Sequence, residues 1–511
     1  MHTATSAPDE LDAHPLQVRV RELESLLKLS EARCAKLEYK LQDLLRRVYG
    51  PKSEKLNPDQ RALFGIPAPQ EVLALVQPTP TSEASGAVGT KRKKRGGRRP
   101  KPQNLPVRRE VIDLLEEQKT GLVKIREEIT EQIEYQPSQF FRLQIVRPVY
   151  ASPKRMHAPI VAALPAQVIP QAGVGVGFIV HVLIAKYLDH LPLYRQERID
   201  ARAGVWIGRQ ARCRYVEAAA HLLITIHQQL KHKILHSNYV HVDETFTKLL
   251  DPDRRGRSHD AYLWGYYAPH EEALVLEFSP SRGGAILYDF FPHNWSGVVQ
   301  TDGAGMYPKV FKHRPGVAHV ECIGHLRRYV LEAIKADEAQ ALPLLKDITE
   351  LYSIEKQATA LGLTHDQRGA FRHAKAKPVL KRLQRRFLKL KRNLPLFGKL
   401  REAVTYATGR WPHLAAYAKV NNGHINIDQN PIERCFRPTK VGLRNYLFIG
   451  HPKAGWRSAV IYSVIGTCRL LGINPEEYLR WVFPKLAAAT NITATGLLPH
   501  DFKTLQSQAA H

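Results

Sequence analysis

The chain has 511 residues, 44% hydrophobic and 24% charged, enough apolar material for sizeable cores and too much for a globally disordered protein. Its 75 Lys and Arg stand against 48 Asp and Glu, a formal charge of +27 that points to a polyanionic partner. Cys34, Cys213, Cys322, Cys435 and Cys468 are scattered and odd in number, which excludes a secreted disulfide scaffold and favours a reducing cytosol. No run reaches the ~20 apolar residues of a membrane span. The N-terminus is polar where a signal peptide carries its apolar stretch. The expected location is therefore cytoplasmic, with no membrane partner, and the charge reads as nucleic-acid binding. At ~150 residues per domain, three or four domains are expected.

From Leu16 to Val48 the sequence keeps a seven-residue repeat. One seam is Leu16, Leu23, Ser30, Leu37 and Leu44; the other is Val20, Leu27, Cys34, Leu41 and Val48. Pro and Gly are absent between these ends, and the intervening residues are mostly polar. The pattern predicts a leucine-zipper coiled coil over 16–50 and self-association through 16–48. A packed amphipathic helix is the alternative. Residues 51–109 read as a linker and basic arm: 66–90 are rich in Pro, Ala, Thr, Ser and Gly, and 91–109 hold ten basic residues and no acid. Gly96-Gly97-Arg98-Arg99-Pro100-Lys101 resembles a minor-groove arm, with Arg98, Arg99 and Lys101 as DNA contacts. A solvated tail binding phosphates without specificity is equally compatible.

Residues 110–157 alternate polar and apolar, with Phe140, Phe141, Leu143, Ile145 and Val146 suggesting short strands in a small β-rich region. Residues 158–236 read as a helical DNA-binding region. Arg209, Arg212 and Arg214 open its last helix, as in a helix-turn-helix-like reader, although an ordinary bundle fits almost as well.

Chemistry is best argued over 237–450. Tyr239 to Glu244 is a β-branched run delivering Asp243 at its end. Strands follow at 261–268 and 273–278, a helix at 281–291, and a fourth strand at 298–303 that ends in Asp302. Three strands, a helix, and a strand whose end lies beside the first strand's carboxylate is the order of a ribonuclease-H-like core. Two aspartates on adjacent strands can share a hard Mg²⁺. A third carboxylate is needed to hold two ions across a phosphodiester. Glu433, in Asn430-Pro431-Ile432-Glu433-Arg434, sits on the first turn of a helix begun by Pro431. Arg434, Arg437, Lys440 and Arg444 follow at helical spacings as phosphate clamps. Glu244 is expected to point to the opposite face of its strand from Asp243.

Seven stretches then carry a resemblance: RRVYGPKSEKL (46–56), AKYLDHLPLYRQERI (185–199), HVDET (241–245), TDGAGMYPKV (301–310), GHLRRYV (324–330), IDQNPIERCFRPTKVGLRNYLFIG (427–450) and IYSVIGTCRLLGINPEEYL (461–479). On these the chain resembles the bacterial insertion-sequence sixty-six family of DDE transposases over about residues 16–485. The resemblance implies an α+β multidomain protein: coiled coil, helical DNA-binding region, ribonuclease-H-like catalytic core with a helical insertion at about 337–420, and a C-terminal helical region over 451–511. It implies Asp243, Asp302 and Glu433 as catalytic triad and as ligands of two Mg²⁺ (or Mn²⁺) ions, and nucleoid-associated DNA cleavage followed by 3′-hydroxyl strand transfer. The expected partners are element ends and target DNA, with companion small proteins of the same element. This sequence departs from the family in two places. Ser152 and Arg155 stand where the family places two of four zinc-binding thiolates, and no cysteine lies between Cys34 and Cys213, so no zinc is expected. The family's Cys-Trp-Ala-His reads Cys322-Ile323-Gly324-His325 here, leaving His325 as a further active-site candidate. A catalytically decayed DNA-binding or bridging protein that dimerises through its zipper is the alternative, and a nuclease that cuts without joining is a third.

Overall fold

The computed structural model describes residues 140–146, 148–150, 160–161, 166–170, 172–251, 253, 257–489 and 495–509, together with Leu23, Glu24, Leu27 and Ser30. These last four positions are helical, and the seam residues Leu23 and Leu27 stand exposed in the single chain. The rest of the predicted zipper and the basic arm with Arg98, Arg99 and Lys101 lie outside the described residues.

A two-stranded antiparallel ladder joins β1 (Val149–Tyr150) to β2 (Ile160–Val161). The strands expected from Phe140 to Val146 are not found: residues 140–146 have no regular structure, and Phe141 and Val146 are more than four-fifths exposed. Alternation makes a strand only when one face has a core to enter, and here Phe141, Leu143, Ile145 and Val146 all stand exposed.

The centre of the chain is a five-stranded mixed sheet in the order β5-β4-β3-β6-β7. β3 (Tyr239–Leu250), β4 (Ser258–Ala268) and β5 (Ala273–Ser279) form an antiparallel meander. The β4–β5 turn is a single 3-10 turn over Pro269–Glu271, closed by Glu272 at φ +46°. β6 (Gly297–Thr301) crosses back to lie parallel to β3, and β7 (Val317–Glu321) lies parallel to β6. Short helices at Ala285–Phe290 and Met306–Phe311 make these crossovers. The four strands and the crossover helix expected from the sequence are all present, with β3 running six residues further than anticipated. β7 was not anticipated. The central strand is covered on both faces: Tyr239, Val240, His241 and Val242 are all buried, which explains why its sequence reads as continuous rather than alternating.

Helices cover the sheet. Arg209–His236 turns Val216, Ala219, Ala220, Leu223, Ile226, Leu230 and Ile234 inward as one helical stripe against β5 and the Gly455–Leu470 helix. That second helix is tied to the sheet through its hydroxyls: the Leu276 amide donates to Ser463 Oγ at 2.7 Å and the Leu274 amide to Thr467 Oγ1 at 3.2 Å. Between β7 and the 420s the chain is helical, with Ile323–Ile334, Glu338–Ala360, His365–Asn393 and Lys399–Leu414 packed on one another. Asp337 caps the second, and a Thr364–Gln367 capping box starts the third. Arg372 is fully buried, satisfied by both Glu355 oxygens at 2.7 Å and by the carbonyls of Tyr417 and Asn422. Among the described residues, no helix is long and apolar enough to cross a membrane.

Candidate active site

β3 and β6 pair in parallel with a constant offset of 59 residues, Tyr239 beside Val298 through His241 beside Gln300. Continued by two residues, that register puts Asp243 level with Asp302, just past the end of β6. Parallel pairing thus converts two distant aspartates into neighbours. Glu433 comes from the first turn of the Asn430–Cys435 helix, whose Pro431 occupies an early position where no amide is missed.

A buried polar network holds the Glu433 loop against the strands. Tyr239 Oη donates to Gln300 Oε1 and accepts from the Asn426 amide at 2.9 Å, and Gln300 Nε2 donates to the Asn426 carbonyl at 3.0 Å. His241 Nε2 meets the same phenol at 2.7 Å. Burial pushes the His241 imidazole down to about 3, so it serves as a neutral strut. From the other side, the Ile323 amide donates to the Ile427 carbonyl at 3.1 Å, the Gln429 amide to Cys322 Sγ at 3.3 Å, and Tyr352 Oη to Asp428 Oδ2 at 3.0 Å. Phe436, directly after the Glu433 helix, lies on Gly265, the β4 residue paired with Asp243. A Cβ built on Gly265 would meet Phe436 Cζ at 2.6 Å.

The electrostatics follow from this crowding. The Asp243 carboxyl is pushed well above the usual range, first by burial and then by the neighbouring carboxylates of Asp302, Glu244 and Glu433. The three predicted acids therefore share one field. Among the described residues, however, no group of three or more His, Cys, Asp and Glu side chains is arranged around a point where a metal ion could sit. Glu433 is turned toward the Arg328 guanidinium, whose Nη2 lies 3.2 Å from Oε2, and toward the His325 imidazole, whose Nε2 lies 3.5 Å from Oε1. His325 is held down by burial, while Asp302 and Glu433 pull its affinity for a proton back up. Cys322 is a fully buried helix N-cap whose thiol burial pushes up to about 12, so it is held as a neutral thiol accepting from the Gln429 amide. Glu244 is buried and fully engaged, accepting from Arg282 Nε at 2.9 Å and from Tyr307 Oη.

The basic residues after Glu433 divide. Arg434, Arg437 and Arg444 are exposed. Lys440 is half-buried over the Phe246 ring, 3.7 Å from its centroid, where burial lowers its affinity for a proton and the Asp243 charge opposes that shift. Arg212 is not at the surface: it is fully buried and paired with Asp200 at 2.7 Å, so it cannot read DNA as the sequence suggested.

Three residues absent from the sequence reading hold the Asp302 turn. Tyr406 Oη donates to the Asp302 carbonyl at 2.7 Å and Arg410 Nε to the Gly303 carbonyl at 2.8 Å, both from the Lys399–Leu414 helix. Behind the turn lies Glu321, the last residue of β7, fully buried. Gly303 takes φ +85°, and a Cβ there would sit 2.9 Å from both Glu321 Oε2 and Tyr406 Oη. Glu321 ends β7, a strand that the sequence did not announce. Tyr406 and Arg410 lie over 100 residues from Asp302, and no local pattern announces them.

The sequence pattern described as Transposase IS66 family matches residues 172–457, more than half the chain and all of the site. The chain belongs to that transposase family. Two further patterns flank it, Transposase C of IS166 homeodomain at 36–110 and IS66 C-terminal element at 463–500. Similar proteins from Sinorhizobium fredii (strain NBRC 101917 / NGR234) carry the name uncharacterized protein. One, y4qI, is 28% identical over 95% of this chain and 92% of its own length. Another, y4jD, is 27% identical over 76% of this chain and 78% of its own. Family membership supports a transposase role and DNA as partner.

Proposed function

We propose that this chain is a DDE transposase that hydrolyses a DNA strand at each end of its insertion sequence and joins the freed 3′-hydroxyl to target DNA. The observation that carries the reading is the parallel register of β3 and β6, which continued by two residues sets Asp243 level with Asp302 just past the end of β6, with the charge of Glu433 felt at Asp243. The sheet order, an antiparallel meander followed by two parallel strands on the first strand's free side, supports a ribonuclease-H-like core.

The donor chemistry suits a divalent cation. All three are carboxylates, hard oxygen donors, and burial together with the neighbouring carboxylates disfavours a bare charge on Asp243, a penalty that a cation would relieve. Asp243, Asp302 and Glu433 would hold Mg²⁺ or Mn²⁺, and Glu433 would give up its contact with Arg328 to do so. Bound cations would supply activation of the attacking oxygen and neutralisation of the leaving one. The chain's own residues do the rest. Tyr406 and Arg410 fix the Asp302 turn, and the Tyr239–Gln300–Asn426 network fixes the Glu433 loop. Arg434, Arg437, Lys440 and Arg444 hold the strand's phosphates beside the carboxylates, and Arg98, Arg99 and Lys101 add affinity from the basic arm. The coiled coil over 16–48 would pair two copies, each engaging one element end.

The test is to incubate the purified chain with Mg²⁺ and DNA carrying its element's terminal repeats, scoring nicked 3′ ends and joined products separately. Both products are expected. Nicks without joining would leave a nuclease. Binding without nicks would leave a decayed bridging protein, which the intact Asp243, Asp302 and Glu433 argue against.

A further inference from the structure

The turn between the Leu193–Arg202 and Arg209–His236 helices is fixed from within. Asp200 and Arg212 are buried to 2% and 0% exposure and pair at 2.7 Å. Arg212 Nε donates to the Ile207 carbonyl at 2.9 Å, and the Val205 amide donates to the Asp200 carbonyl at 3.0 Å. The Arg209 amide donates to Glu197 Oε2 at 3.0 Å. On this rigid turn Trp206 stands 73% exposed. An indole held in water contributes nothing to the core, and its use depends on what surrounds it.

The surroundings identify the partner. Arg195, Arg198, Arg202, Arg209 and Arg214 are all exposed. The two acids between Leu193 and Arg214 are occupied, Asp200 by Arg212 and Glu197 by the Arg209 amide. Tyr194, also exposed, has the Arg195 and Arg198 guanidinium groups 5.8 and 6.0 Å from its ring centroid. Arg195 Nη1 donates to Asn445 Oδ1 at 3.2 Å, which joins this surface to the Arg437–Tyr446 helix and its basic residues beside Glu433. Aromatic faces among arginines match single-stranded nucleic acid, whose bases stack and whose phosphates pair.

We propose that Trp206, with Tyr194 beside the arginines, is a stacking subsite for an unpaired base of the DNA strand, and that Arg195, Arg198, Arg202 and Arg209 hold the flanking phosphates. The inference rests on the DNA-processing reading and adds the state of the DNA: a strand with bases out of the duplex.

Fluorescence anisotropy on the full chain tests it, with two probes, a blunt duplex and the same duplex carrying a single-stranded 3′ tail. Wild type binds the tailed probe about ten-fold tighter, within the range for one stacked base. Trp206→Ala removes that preference and leaves blunt-duplex affinity unchanged, while Trp206→Phe keeps most of it. Arg198→Ala with Arg202→Ala weakens both probes and lowers the salt slope by about 2. An equal affinity of wild type for the two probes overturns the proposal, as does a Trp206→Ala variant that keeps the preference. If light scattering shows Trp206→Ala changing the oligomeric state while the tail preference persists, the surface is a protein interface and the proposal fails. A chain that prefers tailed DNA through Trp206 but never cuts element ends would retain the subsite and lose the transposase reading. A chain that cuts while Trp206→Ala keeps its tail preference would do the reverse.

Discussion

Glu321 is an acid placed where its charge is hard to sustain. It is fully buried, neither carboxylate oxygen has a hydrogen-bond partner, and the nearest cation, Arg410 Nε, is 3.6 Å away. Burial pushes it up to about 8, against an ordinary value of 4.5. Between those values the folded chain keeps a proton that the unfolded chain has released, so this group's contribution to stability falls as pH rises through that window. Melting temperature is therefore expected to decline from about pH 5 to about pH 9 more steeply in wild type than in Glu321→Gln, which cannot ionise. Parallel curves would show that Glu321 ionises normally. The same side chain backs the Asp302 turn, so the variant, although at least as stable at high pH, is expected to cut DNA more slowly.

At the scale of elements, the Glu433 helix meets the sheet in a close approach of Phe436 to Gly265. Gly265→Ala inserts a methyl group into that contact and is expected to cost about 1–3 kcal/mol by overpacking. Cleavage should fall further than stability, because the displaced helix carries Glu433. Adding Phe436→Leu should restore part of both, a coupling that distant sites would not show; additive losses would place the two residues out of contact. The sheet was legible because each strand is a dense run of β-branched and aromatic residues ending at a turn or a carboxylate. Val317–Glu321 escaped notice because Ala318 and His319 break its β-branched run. The Phe140–Val146 alternation misled because period-two patterning predicts a strand only where a core is available. The approach of Phe436 to Gly265 spans 171 positions, and nothing local to either residue encodes it.

For the whole molecule, charge and the order of motifs indicated a DNA-processing enzyme, whereas the buried role of Arg212 and the exposure of Trp206 depend on how helices pack and needed coordinates. Assembly is a separate question, and the heptad seam makes a definite claim about it. Leu27 and Leu41 occupy mid-seam positions, each worth ~1.5–3 kcal/mol when buried. Replacing both with Lys should convert the chain to monomers by light scattering, and a monomeric wild type would contradict the zipper. The central claim is that Asp243, Asp302 and Glu433 act as one metal-dependent cleaving centre. It is tested most directly by strand cleavage measured beside DNA affinity for Asp243→Asn, Asp302→Asn and Glu433→Gln, with Glu244→Gln as the neighbouring control. Each triad variant should lose cleavage while binding DNA as well as wild type or slightly better, since a negative charge facing phosphate is gone, and Glu244→Gln should cut more slowly but still cut. Triad variants that still cut element ends, or a dead Glu244→Gln beside an active Asp243→Asn, would contradict the account.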